Sequence, residues 1–217
     1  MTARIVADDE AGRGAAIDVL RGGGIVALPT DTVYGIAVCL DTAGGVERLF
    51  RAKERPEEKA VMVLVDGLDQ VAGIVGLPPA AAVLSRFWPG GLTLVLPLTA
   101  RDAFPPALTA GLATLGVRVP DHPTPRALAR VVGPLPTTSA NVSGRPDSIS
   151  AEDVAGALGG RIELVVDGGP SPGGTPSTVV DCSLDRPRIL RAGAIPPVTL
   201  AAALDDAGVA HVLRSGT

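Results

Sequence analysis

Lys53, Arg55 and Lys59 fall within one stretch of seven residues. Thr137, Thr138, Ser139, Asn141 and Ser143 follow one another in a second polar island. Residues two apart in an extended loop point the same way, so Lys53 and Arg55 are spaced to face one anion together. The bland alternative is a solvated basic helix end, where cations complement the helix dipole. The second island offers hydroxyl and amide donors and acceptors that suit a ribose or a phosphate oxygen, or else a turn that caps its own backbone. Arg118, between Val117 and Val119, either lies on the exposed face of an edge strand or binds a carboxylate in a cleft. Arg191 follows the same logic with an easier surface explanation. Thr30-Asp31-Thr32 either lines a site or merely ends a strand. Together these residues suggest nucleotide chemistry, yet no GxxxxGK[ST] phosphate loop is present.

Other chemistries are poorly served. Cys39 and Cys182 are the two cysteines and His122 and His211 the two histidines, so neither a zinc site nor a Cys–His dyad is expected. Any metal would be a hard ion held by oxygens. A serine nucleophile would need an activating base, for which there are few candidates. The formal charge of −4 argues against a surface devoted to a polyanion and leaves room for a local basic cleft. The acidic opening Asp8-Asp9-Glu10 is unlike a signal peptide, and no apolar run is long enough to span a membrane, so a cytoplasmic protein is expected.

The elements that must position these groups belong to an α/β fold. The chain is 46% hydrophobic but only 2% aromatic, so its core is built from aliphatic side chains. Its 217 residues fit one domain, with 27 glycines and 20 prolines punctuating the apolar runs. Helices are predicted over Ala11–Arg21, Gly44–Lys53, Pro78–Phe87, Thr124–Val132, Ser150 to near Gly159, and Pro197–Ala207. Strands are predicted over Ile25–Leu28, Val61–Val65, Leu92–Leu96, Gly116–Pro120, Ile162–Val166, Ser177–Cys182 and Arg188–Arg191, with Ile36–Leu40 also buried. Leu135–Gly144 is too polar for a core strand and too ordered in composition for a linker. Asp167–Pro176 is a glycine-proline loop, either a lid or a surface connection. Several strands follow one another without a helix, so a mixed sheet with packed helices fits better than a doubly wound parallel one.

The motifs PTDTVYG (29–35), KER (53–55), WPGGLTLVL (88–96), VRVP (117–120), TSANVSG (138–144), PSTVVD (176–181) and LRAGAI (190–195) occur in order from about Gly22 to Ile195. In this the chain resembles the YrdC-like threonylcarbamoyl-AMP synthases. The resemblance implies a single YrdC-like domain over 1–217, with a core of about 10–207 and no additional C-terminal domain. It implies a twisted mixed sheet with flanking helices around a concave basic cavity. The implied reaction joins L-threonine, bicarbonate and ATP, assisted by Mg²⁺, into L-threonylcarbamoyl-AMP and pyrophosphate. A separate transferase machinery would use the product to modify the tRNA adenosine beside the anticodon. Carried over by position, Lys53 and Arg55 are catalytic, and Thr32, Arg118 and Ser177 hold threonine. ATP falls to Arg55, Lys59, Thr114, Thr137, Ser139, Asn141 and Arg191. No protein metal ligand is implied.

Three positions depart from the family pattern: Lys59 replaces an amide, Leu64 stands where many members carry histidine, and Asp147 replaces a serine. Two rival readings come with the same resemblance. One is a noncatalytic module that contacts tRNA or double-stranded RNA. The other is a carbamoyl-adenylating domain of the hydrogenase-maturation type.

Overall fold

A computed structural model describes residues 3–54, 60–100, 104–172 and 174–213. Its centre is a ten-stranded mixed sheet made of β1 (Arg4–Ala7), β2 (Val26–Leu28), β3 (Gly35–Ala37), β4 (Met62–Leu64), β5 (Leu92–Pro97), β6 (Thr114–Arg118), β7 (Leu135–Ser139), β8 (Leu164–Asp167), β9 (Thr178–Asp181) and β10 (Arg188–Arg191). The strands lie in the order β1-β8-β2-β3-β7-β4-β6-β5-β9-β10. Pairs β1/β8, β2/β8, β4/β6 and β5/β9 are parallel, and the other five are antiparallel. The mixed sheet expected from the run of strands is therefore present.

Alternation along the strands sorts the core into two layers. Ile25 and Ala27 point into one cluster, while Val26 and Leu28 point into the other. Val63 and Val65 oppose Leu64 in the same way. Helices α2 (Gly45–Lys53), α3 (Pro79–Leu84), α6 (Ala151–Leu158) and α7 (Pro197–Asp206) supply the larger cluster. Helices α1 (Glu10–Arg21) and α5 (Pro123–Val132) cover the smaller one, and a short α4 spans Pro106–Thr109. None of the helices among the described residues is long and apolar enough to cross a membrane.

Local chemistry explains the helix limits. Asp9 caps α1 by accepting from Gly12 N–H at 2.8 Å. Ser150 and Asp153 form a reciprocal capping box on α6, each bond 3.1 Å long. The helix predicted to Phe87 stops at Leu84 and tightens into a 3₁₀ turn over Ser85–Phe87. Helix α5 begins one proline earlier than expected, at Pro123, with His122 as its cap.

One expectation is overturned. Leu135–Ser139 is a strand, and it sits in the middle of the sheet between β3 and β4. Thr137 and Thr138 are β-branched and fit a pleated surface. Thr137 donates its hydroxyl to Leu135 O at 2.8 Å, so its burial leaves no polar atom stranded.

Candidate active site

On one face of the sheet α1 packs over β1, β8 and β2, and α5 packs beside it against β4. The same face also holds an open cleft of about 400 Å³, lined from β7, β4, β6, β5 and β9. Register and period bring its floor together. Leu64 lies opposite Arg118, Gly116 opposite Val95, Thr93 opposite Val179, and Met62 opposite Thr137. Small residues keep this floor low: a Cβ on Gly116 would lie 3.2 Å from Cβ of Met62, and one on Gly35 would lie 2.9 Å from Cγ2 of Thr137.

Arg118 resolves its two sequence readings in favour of the cleft. It belongs to an interior strand, lines the cleft and is 2% exposed. Its Nε donates to Gly90 O at 3.0 Å, Nη1 to Thr32 Oγ1 at 2.8 Å, and Nη2 to Asp31 Oδ1 at 2.6 Å. Burial lowers its pKa from the usual arginine value, and Asp31 opposes that shift. Thr32 is itself fixed by Thr30, whose hydroxyl lies 3.0 Å away and donates to Val33 O at 2.7 Å.

Ser177 also lines the cleft and is buried, with Oγ 2.8 Å from Thr93 Oγ1. Arg191 donates to Ser177 O through Nε at 3.1 Å and Nη2 at 2.8 Å, and Nη2 also reaches Ser177 Oγ at 3.1 Å. Thr93, Ser177 and Arg191 are thus tied to one another on the cleft lining. Tyr34 adds a strut: its hydroxyl donates to Gly169 O at 2.7 Å and accepts from Gly168 N–H at 3.2 Å. Burial raises its pKa to about 12, so it stays a donor at neutral pH.

Thr114, Thr137 and Ser139 line the cleft from β6 and β7. Asn141 sits behind them, accepting from Ser139 Oγ at 2.6 Å and donating to Arg145 O at 2.6 Å. Lys53 also lies behind them. At 2% exposure, its ammonium donates to Asn141 O at 2.7 Å, to Asn141 Oδ1 at 2.8 Å, and to the carbonyl of Ser139. Its own carbonyl accepts from Ser143 N–H at 2.8 Å. The two polar islands are therefore one assembly, but Lys53 is not among the described cleft-lining residues. Arg55 and Lys59 lie outside the described residues.

The concave basic cavity implied by the resemblance is not shown among the described residues, whose lining mixes charges. Arg118, Arg188 and Arg191 are set against Asp147 and Asp181, and Asp181 lies 3.6 Å from Arg188. Leu64 and Asp147, two of the departures from the family pattern, both line the cleft. The sequence reading missed Asp31 as Arg118's partner, Thr93 as Ser177's partner, and Tyr34. Their signal was present in PTDTVYG, where three polar residues stand together after an apolar run, and in WPGGLTLVL, where Thr93 is set between leucines.

Residues 18–193 match the model of the Sua5/YciO/YrdC family, whose description reads "telomere recombination". The chain belongs to that family. A threonylcarbamoyl-AMP synthase of Bacillus subtilis is 43% identical over 183 residues, covering 83% of this chain and 53% of the relative. A member of the family from Thiobacillus denitrificans, also named threonylcarbamoyl-AMP synthase, is 38% identical over 176 residues, covering 80% of this chain and 91% of the relative. The structure of Pyrococcus abyssi Sua5 complexed with L-threonine matches with a TM-score of 0.86 at 34% identity, over 97% of this chain and 61% of that one. The chain spans about half the length of the Bacillus family member.

Proposed function

We propose that this chain makes L-threonylcarbamoyl-AMP from L-threonine, bicarbonate and ATP, acting in the cytoplasm and passing the adenylate to a separate transferase that modifies tRNA. The observation that carries the reading is Arg118, a buried guanidinium opening onto a cleft that is also lined with threonine and serine hydroxyls. In the reading, Arg118 binds the threonine carboxylate with its remaining N–H groups, and Thr32 and Ser177 border the rest of the amino acid. Thr114, Thr137, Ser139 and Arg191 border ATP, supported by Asn141, with Arg55 and Lys59 at its phosphates. A cleft of about 400 Å³ is within the usual range for small-molecule sites, about 300–1,000 Å³.

The chemistry needs no protein nucleophile. Threonine's neutral amine attacks bicarbonate, releasing water and leaving a carbamate. A carbamate oxygen then attacks the α-phosphorus of ATP, and the bond to the β-phosphate oxygen breaks to release pyrophosphate. The protein's part is to align the two substrates and neutralise developing charge. Lys53 contributes at one remove, by fixing the Ser139–Asn141 turn against which the nucleotide lies. Among the described residues no group of three or more His, Cys, Asp or Glu side chains could hold a metal. Magnesium therefore fits as part of the MgATP substrate, held by phosphate oxygens.

The test is pyrophosphate release from ATP, measured with and without L-threonine and with and without bicarbonate. Release that requires both is the expected result. Release that ignores threonine, or none under any combination, would overturn the proposal.

A further inference from the structure

The β2–β3 loop carries an acid that the proposed chemistry leaves unused. Oδ1 of Asp31 accepts from Arg118 Nη2 at 2.6 Å and from the backbone N–H of Asp121 at 3.1 Å. Arg118 lines the cleft, whereas Asp31 is not among the described lining residues, so the carboxylate stands behind the guanidinium. Arg118 is held by three anchors on two segments, Gly90 on one and Thr32 and Asp31 on the β2–β3 loop, and only Asp31 is charged. Three of its five N–H groups are spent on those anchors, which leaves two for a ligand.

Which two remain, and where they point, depends on the plane of the guanidinium. Gly90 O and Thr32 Oγ1 are neutral acceptors and hold a cation more weakly than a carboxylate does. A buried guanidinium stripped of its carboxylate would be an uncompensated charge and would turn toward whatever oxygen or water it could reach. Asp31 also ties the β2–β3 loop to the turn after β6 through Asp121, so one oxygen fixes both the arginine and the loop that supplies Thr32.

We propose that Asp31 is the positioning residue for Arg118: it sets the plane of the guanidinium, and with it the cleft's affinity for a carboxylate, without touching the substrate. The identity of that carboxylate as threonine rests on the function proposed above.

The experiment compares Asp31→Ala, Asp31→Asn and Arg118→Ala, alone and as Asp31→Ala/Arg118→Ala. Asp31→Ala is expected to raise the threonine KM about 10- to 100-fold, the weight of one charge-assisted bond, and to leave the KM for ATP unchanged. Asp31→Asn keeps an oxygen that can accept both bonds and should restore the threonine KM toward that of the wild type. In the Arg118→Ala background, removing Asp31 should add no further loss. An unchanged threonine KM in Asp31→Ala, equal losses for threonine and ATP, or additive losses in the double variant would overturn the proposal. A second readout is independent of turnover: exchange of the Arg118 Nε–H, followed by ¹⁵N NMR, should quicken in Asp31→Ala. Should wild-type protein release no pyrophosphate in response to threonine, the proposed function falls. The exchange measurement still decides Asp31's role, and unaltered protection would count against it.

Discussion

Replacing Lys53 with methionine tests whether the ammonium holds the polar assembly together. Methionine preserves most of the aliphatic stem and its packing, so the change isolates the charged head. In the structure that head serves two main-chain carbonyls, Ser139 and Asn141, and the amide oxygen of Asn141. The amide oxygen keeps one donor, the Ser139 hydroxyl at 2.6 Å, so the loss falls chiefly on the two carbonyls. At about 1–2 kcal/mol for each group deprived of a charged donor in a site shut off from water, the expected destabilisation is about 2–4 kcal/mol. The figure is a net one, because losing the ammonium also removes the cost of burying it. Urea unfolding followed by circular dichroism measures it, with the slope against urea unchanged and the midpoint lowered. A loss below about 0.5 kcal/mol, the range of ordinary surface substitutions, would refute the reasoning and put the ammonium in solvent or on a ligand.

Gly193→Ala should destabilise by about 1–3 kcal/mol and impair turnover, because a Cβ there would lie 2.3 Å from Pro176 O and 2.6 Å from Ser177 O; an unaltered melting temperature would contradict the close approach. His122 accepts from Thr124 N–H through Nδ1 at 3.3 Å at the start of α5, and burial lowers its pKa from 6.5. Below about pH 6.5 the unfolded chain binds the proton more readily than the native one, so stability should fall as pH drops through the window between the unfolded and folded values. His122→Asn, which keeps a cap, should flatten that acid limb in pH-dependent denaturation, and an undiminished limb would assign it to other groups. Cys182 is buried and its pKa is pushed up to about 12. It should resist iodoacetamide at pH 8 in native protein and react once urea is added, as read by mass spectrometry; labelling without urea would show the thiol to be accessible.

Legibility in the sequence followed how local each feature's cause is. The apolar run Val61–Val65 and the cap at Ser150 carry their own signals, and both elements appear within a residue or two of where they were expected. Strand β1 was missed because it is an edge strand, mostly exposed, with Arg4 at its start and no buried stripe to betray it. Strand β7 was misread because threonine hydroxyls look polar in a list, whereas in the sheet they find a carbonyl or face the cleft. The basic cluster at the end of α2 offered no hint that Lys53 is buried, since its acceptors lie 86 and 88 residues away. Arg118 was recognised as a candidate, but the partner that tells a cleft arginine from a surface one, Asp31, is 87 residues from it.

The order of strands across the sheet has a bearing on how the molecule breathes. The cleft draws on the β2–β3 loop and on β4, β5, β6, β7, β9 and β10, and β5 meets β9 in parallel although more than eighty residues separate them. Opening any one of these strands spoils the cleft, so a form with one of them detached loses the binding site. A ligand seated there would slow hydrogen exchange across all of these strands and not only at the residues it touches.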